Sequence, residues 1–199
     1  MKKLIIITGI SGIGKTTLAK YIQRELNHVT IITVDSLLEN ICDMIGFSNK
    51  EQKESIRKLT KKFCKKILEE CMKREDEVII IEYPFSQSWK NYFEKVSTQY
   101  QYDVLTLKLY RENFEECWEK VYERDLSPIR HIIHETDCYH PQENCLIDRN
   151  LQSKETLKFL YENEKRTDFV VGTELKIINQ DNNTSLKRAI KQIRKWIEK

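Results

Sequence analysis

Nowhere in this 199-residue chain does an apolar run approach the ~20 residues of a membrane-spanning helix. The N-terminal run Leu4–Ile7, behind Met1-Lys2-Lys3, stops short of the roughly 7–15 residues of a signal-peptide core, and no small-residue cleavage site follows. An excess of one charge is also missing. There are 34 Lys and Arg against 31 Asp and Glu, a net charge of +3, too weak a field to imply nucleic acid as a partner. Glycine and proline are scarce, at 5 and 3, which argues against collagen-like, disordered and hairpin-rich all-β architectures. Internal repeats, linkers and low-complexity tracts are absent. These gaps predict one globular domain over residues 1–199, cytoplasmic and without a membrane partner. Its six cysteines are then expected as reduced thiols. A chain this long buries roughly 70% of its unfolded surface and needs neither disulfide nor metal to fold.

Strand and helix patterns alternate along the chain, the signature of a parallel α/β sheet. Leu4–Thr8 is a continuous apolar run, as in a strand buried on both faces. Val29–Val34, Val78–Ile81, Val104–Leu109 and Leu175–Asn179 read as four more strands. Ser36 with Glu39, and Ser48 with Glu51, have capping-box spacing, and Gly46 is placed to end the helix between them. The long helix after Ser48 carries the stripe Ile56, Leu59, Phe63, Ile67, Cys71, expected to face the core. The last helix, Ser185–Ile197, is basic, with an apolar stripe expected to pack on the sheet and its charges solvated. Residues from about Asp125 to Asn150 break the pattern. They hold two of the three prolines and three of the four histidines, and a long stretch without periodicity is usually functional or mobile.

The chemistry is carried by Gly9-Ile10-Ser11-Gly12-Ile13-Gly14-Lys15-Thr16, a full match to G-x-x-x-x-G-K-[ST] lying after a strand and before a helix. Its glycines let the backbone turn tightly, so that successive N–H groups point into one concavity at a helix N-terminus. Gly9, Ser11, Gly12, Ile13, Gly14, Lys15, Thr16 and Thr17 are therefore the expected nucleotide-binding residues. Lys15 is expected to reach the β- and γ-phosphates, and the Thr16 hydroxyl to ligate Mg²⁺. The guanine-reading N-K-x-D motif of a GTPase is missing, since Asn179-Gln180-Asp181 lacks both the lysine and the spacing. An ABC or helicase-like ATPase would normally be larger. What remains is a small kinase, with ATP as donor.

Asp35 ends the second predicted strand, so the strand-end rule turns it toward the same crevice as the Gly-rich turn. A carboxylate there can take the proton of an acceptor hydroxyl as the γ-phosphoryl group moves. Glu82 ends the third strand where a Walker B acid, usually Asp, would stand, and is a candidate for contact with Mg²⁺ or for acceptor binding. Arg111, Arg124 and Arg130 follow the fourth strand, and guanidinium groups can neutralise charge developing on transferring phosphate. His134, Cys138, His140 and Cys145 invite a zinc reading, but H-x₃-C-x-H-x₄-C is not the paired spacing of a structural site.

With these residues in place, the sequence resembles the small-molecule kinases of the P-loop superfamily: the adenylate kinase, shikimate kinase, zeta-toxin and chloramphenicol phosphotransferase groups. The resemblance covers nearly the whole chain in element order. It is motif-specific in Gly9–Thr16, in Val34-Asp35-Ser36-Leu37-Leu38-Glu39, and loosely in Arg124–Arg130. Val34–Glu39 is similar to the stretch of chloramphenicol phosphotransferases whose Asp is the base toward a substrate hydroxyl. The resemblance implies a base role for Asp35, a phosphate-clamp role for Lys15, and lid-arginine roles for Arg124 and Arg130. It also implies a three-layer α/β fold, a five-stranded parallel sheet in the order 2-3-1-4-5 with helices on both faces. An acceptor-binding insert would span about Leu37–Glu77, and a lid about Asp125–Asn150.

The function expected from all this is ATP- and Mg²⁺-dependent transfer of a phosphoryl group to a hydroxyl of a small acceptor: a nucleoside or nucleotide, a metabolite or an antibiotic. The protein would be a monomer or homodimer. A nucleotide-dependent regulatory ATPase or switch, and a toxin-like nucleotide-sugar kinase, are the alternatives. A nucleic-acid end kinase is disfavoured by the weak net charge.

Overall fold

A computed structural model of the chain describes residues 2–142, 150–164, 169–178 and 183–198. Strands β1 (Lys3–Thr8), β2 (Val29–Thr33), β3 (Val78–Glu82), β4 (Asp103–Tyr110) and β5 (Thr173–Ile178) form one sheet in the order β2-β3-β1-β4-β5. Every neighbouring pair is parallel. Each strand therefore ends at the same edge, and the turn after β1 lies beside the ends of β3 and β4. This is the crevice in which open α/β sheets bind ligands.

The helices are α1 (Lys15–Glu25), α2 (Val34–Ile45), α3 (Lys50–Lys73), α4 (Lys90–Tyr100), α5 (Phe114–Leu126), α6 (Lys154–Glu164) and α7 (Asn183–Ile197). Side chains alternate across the pleat, so one strand feeds two cores. Ile5, Ile7, Leu105 and Leu107 face a core with Leu18 and Ile22 of α1, Val121 of α5, Leu157 of α6 and Ile193 of α7. Leu4, Ile6, Ile79 and Ile81 face the other side, against Cys64 and Leu68 of α3 and Phe93 of α4. A third, smaller cluster joins Leu38 and Cys42 of α2 to Phe47, Ile56 and Ile133. Cys42, Cys64, Cys71 and Cys117 are buried free thiols. No described helix is long and apolar enough to cross a membrane.

Four local expectations are corrected. Helix α2 starts at Val34 directly after β2, with Thr33 as its N-cap, so Ser36 does not cap it. Asp35 consequently lies in the first helical turn instead of ending a strand, where a carboxylate complements the positive end of the helix dipole. The box before α3 is shifted by one residue. Asn49 Oδ1 accepts from the Gln52 N–H at 2.9 Å, and Gln52 Oε1 accepts from the Ser48 N–H at 2.7 Å. Finally, α3 buries Ile56, Thr60, Cys64, Leu68 and Cys71, while Leu59, Phe63 and Ile67 are 38%, 48% and 40% exposed. A helical face is about 100° wide, and the buried row runs from Ile56, packed with α2, to Cys64, Leu68 and Cys71, packed against the sheet.

Beyond α5, the described part of the irregular stretch is packed and not free. It contains a short 3₁₀ turn, Ile132–His134, and an antiparallel bridge between Tyr139 and Phe47. The expected lid falls partly on residues 143–149, which lie outside the described residues, as does Cys145.

Candidate active site

The turn between β1 and α1 is built on glycine. Gly14, at φ 99°, sits at the N-cap of α1. Gly12, at φ 78°, presses the loop onto α5, where an added Cβ would lie 2.4 Å from Val121 Cγ2. Both the left-handed backbone and the contact exclude a side chain. The loop and the start of α1 form one wall of a cavity of about 420 Å³. Ser11, Gly12, Gly14, Lys15, Thr16 and Thr17 line it, together with Asp35, Glu82, Arg124 and Arg130. Of the residues expected from the sequence, Gly9 and Ile13 are not on its surface. Ile13 is a core residue, 1% exposed.

Lys15 is buried, and its Nζ donates to the carbonyls of Gly9 at 3.0 Å and Ile10 at 2.8 Å. The amine is thus folded over its own loop, next to the amides that would cradle a phosphate. The Thr16 hydroxyl donates to Glu82 Oε1 at 3.1 Å. Glu82 is only 2% exposed. Burial pushes its carboxyl pKa up, opposed by the ammonium of Lys15 and reinforced by the carboxylate of Asp35. Three charged groups from three elements therefore share one crevice. A hydroxyl and a carboxylate side by side make an oxygen donor set suited to a hard divalent cation.

The far wall comes from α5 and the chain after it. Arg124 Nη1 donates to Ser11 Oγ at 2.9 Å. The Arg130 side chain is 15% exposed, with Nε 3.7 Å from Asp125 Oδ1. Burial, then the neighbouring Arg124 charge, lowers its pKa, while Asp35, Asp125 and Glu39 act in the other direction. Arg111, 3% exposed, and Lys120 line the same cavity.

Sequence reasoning missed the side chains that hold this wall in place. His134 Nε2 lies 2.8 Å from Glu39 Oε1 and His131 Nε2 3.0 Å from Asp43 Oδ1. The Tyr139 hydroxyl donates to Asp43 at 2.6 Å, and Lys53 Nζ donates to the Thr136 carbonyl. These contacts strap residues 131–139 onto α2 and α3. The His134 hydrogen bond holds the Glu39 carboxyl below its usual range, against the effect of burial. The zinc reading includes Cys145, which lies outside the described residues. His134 engages Glu39, His140 Nε2 lies 3.2 Å from Ser48 Oγ, and no group of three or more His, Cys, Asp or Glu among the described residues could hold a metal ion.

Residues 4–124 match the family model described as an AAA domain, a span that runs from β1 through the Gly-rich loop to Arg124. No curated protein matches the sequence. Among solved structures, a candidate kinase from Chloroflexus aurantiacus j-10-fl is similar with a TM-score of 0.73 and 15% identity, over 99% of this chain and 96% of that one. The tunicamycin resistance protein of Deinococcus radiodurans aligns with a TM-score of 0.60 and 13% identity, over 99% and 96%. Shikimate kinase from Bacteroides thetaiotaomicron aligns with a TM-score of 0.59 and 15% identity, over 99% of both chains. At such identities the likeness is one of fold.

Proposed function

The chain belongs to the AAA-domain family, and from that membership we propose that it is an ATP- and Mg²⁺-dependent kinase acting on a hydroxyl of a small molecule. The observation that carries this reading is the single cavity joining the phosphate-type loop, Asp35, Glu82, Arg124 and Arg130. A nucleotide switch has no need of a carboxylate facing the loop from α2, whereas phosphoryl transfer to an acceptor does. The names of the structural neighbours, two of them kinases by description, agree with it.

In this reading the loop amides and Lys15 hold the β- and γ-phosphates. Thr16 and Glu82 would hold Mg²⁺, which would supply charge neutralisation at the phosphates. Asp35 takes the proton of the acceptor hydroxyl as its oxygen bonds to the γ-phosphorus. The bond from that phosphorus to the bridging oxygen breaks, and ADP leaves. Arg124 and Arg130 neutralise the charge that develops. The chain works as one domain, with the helices of about 37–77 forming the acceptor wall and about 125–150 the lid that excludes water.

The test is a γ-phosphate transfer screen with mass detection against pooled metabolites, nucleosides and antibiotics. Once an acceptor is found, Lys15→Ala is expected to weaken nucleotide binding and transfer to every acceptor, water included. Asp35→Asn is expected to keep nucleotide affinity and lose acceptor phosphorylation by about 10²-fold or more. Full acceptor turnover by Asp35→Asn would remove the base role.

A further inference from the structure

Asp125 sits in the last turn of α5 with its residue 6% exposed. Both facts oppose a carboxylate, since the helix C-terminus carries partial negative charge and burial strips the ion of water. The compensation is local. Asp125 Oδ1 accepts from Arg124 Nε at 2.8 Å and from Arg124 Nη2 at 2.6 Å, and Arg130 Nε lies 3.7 Å from the same oxygen. Arg124 then spends an Nη1 donor on Ser11 Oγ of the loop, 2.9 Å away. Asp125 Oδ1 thus hydrogen-bonds Arg124, which reaches on to the loop, while Arg130 Nε stands at ion-pair distance from the same oxygen without a hydrogen bond.

The geometry matters for the arginines more than for the acid. Side chains adjacent in a helix do not ordinarily face each other, and two guanidinium groups side by side repel. That repulsion is felt at Arg130, whose charged form is disfavoured by Arg124 and favoured by Asp125. With its Nε/Nη2 edge on Asp125 and one Nη1 donor on Ser11, Arg124 has a set orientation at the cavity wall. Three of its five N–H donors are thereby committed, and the others can meet a phosphate.

We propose that Asp125 is a positioning residue, whose carboxylate holds Arg124 and Arg130 side by side against the phosphate-binding loop before nucleotide arrives. The inference rests on the reading that these arginines serve the terminal phosphate. It adds that their placement is set by an acid that touches neither nucleotide nor acceptor.

The experiment measures Mg²⁺-dependent ATP and ADP affinity by calorimetry on the full chain, so no acceptor is needed. Wild type is expected to prefer ATP over ADP. Asp125→Ala should reduce that preference about tenfold, the scale of a lost charge-assisted contact, while ADP affinity stays within about threefold. Asp125→Asn, which preserves shape, should shift in the same direction, and Asp125→Glu should recover part of the preference. In an Arg124→Ala background, Asp125→Ala should cost clearly less than it does alone, the remainder being its hold on Arg130, because the Arg124 and Asp125 effects are coupled. A merely structural Asp125 would change both affinities together and add independently of Arg124. An unchanged ATP/ADP ratio in both Asp125→Ala and Asp125→Asn, or full additivity, overturns the proposal. Wild type that binds neither nucleotide overturns the functional reading and the positioning role with it. Wild type with an Asp125-dependent ATP preference but no acceptor in the transfer screen sinks only the kinase.

Discussion

Glu82 shows how a single side chain can be legible in role and illegible in energy. Its place at the end of an apolar strand marked it as an acid facing the crevice. Its burial, which decides what that acid costs the fold, is a property of β1, β2 and the loop around it. Burial raises the Glu82 pKa above its ordinary value of 4.5. The native state therefore favours the protonated form, and stability is highest below the ordinary value and falls as pH rises through the raised one. Glu82→Gln is expected to abolish that decline. Above the raised pKa it should add about 1 kcal/mol of stability, with no gain in acid. Thermal unfolding followed from pH 4 to 8 reads this directly. The same variant should lose the response of nucleotide affinity to Mg²⁺, a gain in stability bought with function.

For whole elements, the long helix α3 is the instructive case. Its sequence offers two adjacent apolar rows, and hydrophobic spacing alone cannot choose between them. Tertiary packing did choose, burying Cys64 and Leu68 against the sheet and Ile56 against α2, and leaving Leu59, Phe63 and Ile67 partly exposed. Leu68→Ala should therefore cost about 2–5 kcal/mol, as for a buried leucine. Phe63→Ser, on the row that the sequence marked as core, should cost about 0.5 kcal/mol or less. Urea unfolding of the two variants decides between the rows. The capping of α2 has the same lesson. Ser36 with Glu39 satisfies the local rule, but β2 runs straight into the helix, so Glu39 is released to meet His134.

Across the whole molecule, the segment after α5 is what couples the two sides of the crevice. It is pinned to α2 and α3 by His131–Asp43, His134–Glu39 and the Phe47–Tyr139 bridge. Because His134 lowers the Glu39 pKa below 4.5, that contact stabilises the fold fully above the ordinary value. It is lost as pH falls through the lowered one. Hydrogen exchange at the Phe47 and Tyr139 amides, which donate to each other's carbonyls at 2.7 Å, should accelerate below that point. In His134→Ala the faster exchange should already be present at neutral pH. Equal protection in the two proteins would show that the bridge holds without the pair.

The motif Gly9–Thr16, the alternation of strands and helices, and the acids Asp35 and Glu82 near strand ends were all readable from the chain, because each obeys rules acting over a few neighbouring residues. Asp125 left a trace as well, an acid in the last turn of a helix where a cation is the stable choice. The contacts that shape the candidate site join residues far apart: Arg124 to Ser11, His134 to Glu39, Lys53 to Thr136. No local periodicity encodes such pairs. They exist because parallel strands bring their ends to one edge and the helices between them close over it, and packing at that edge decides which charges are buried and which of them meet.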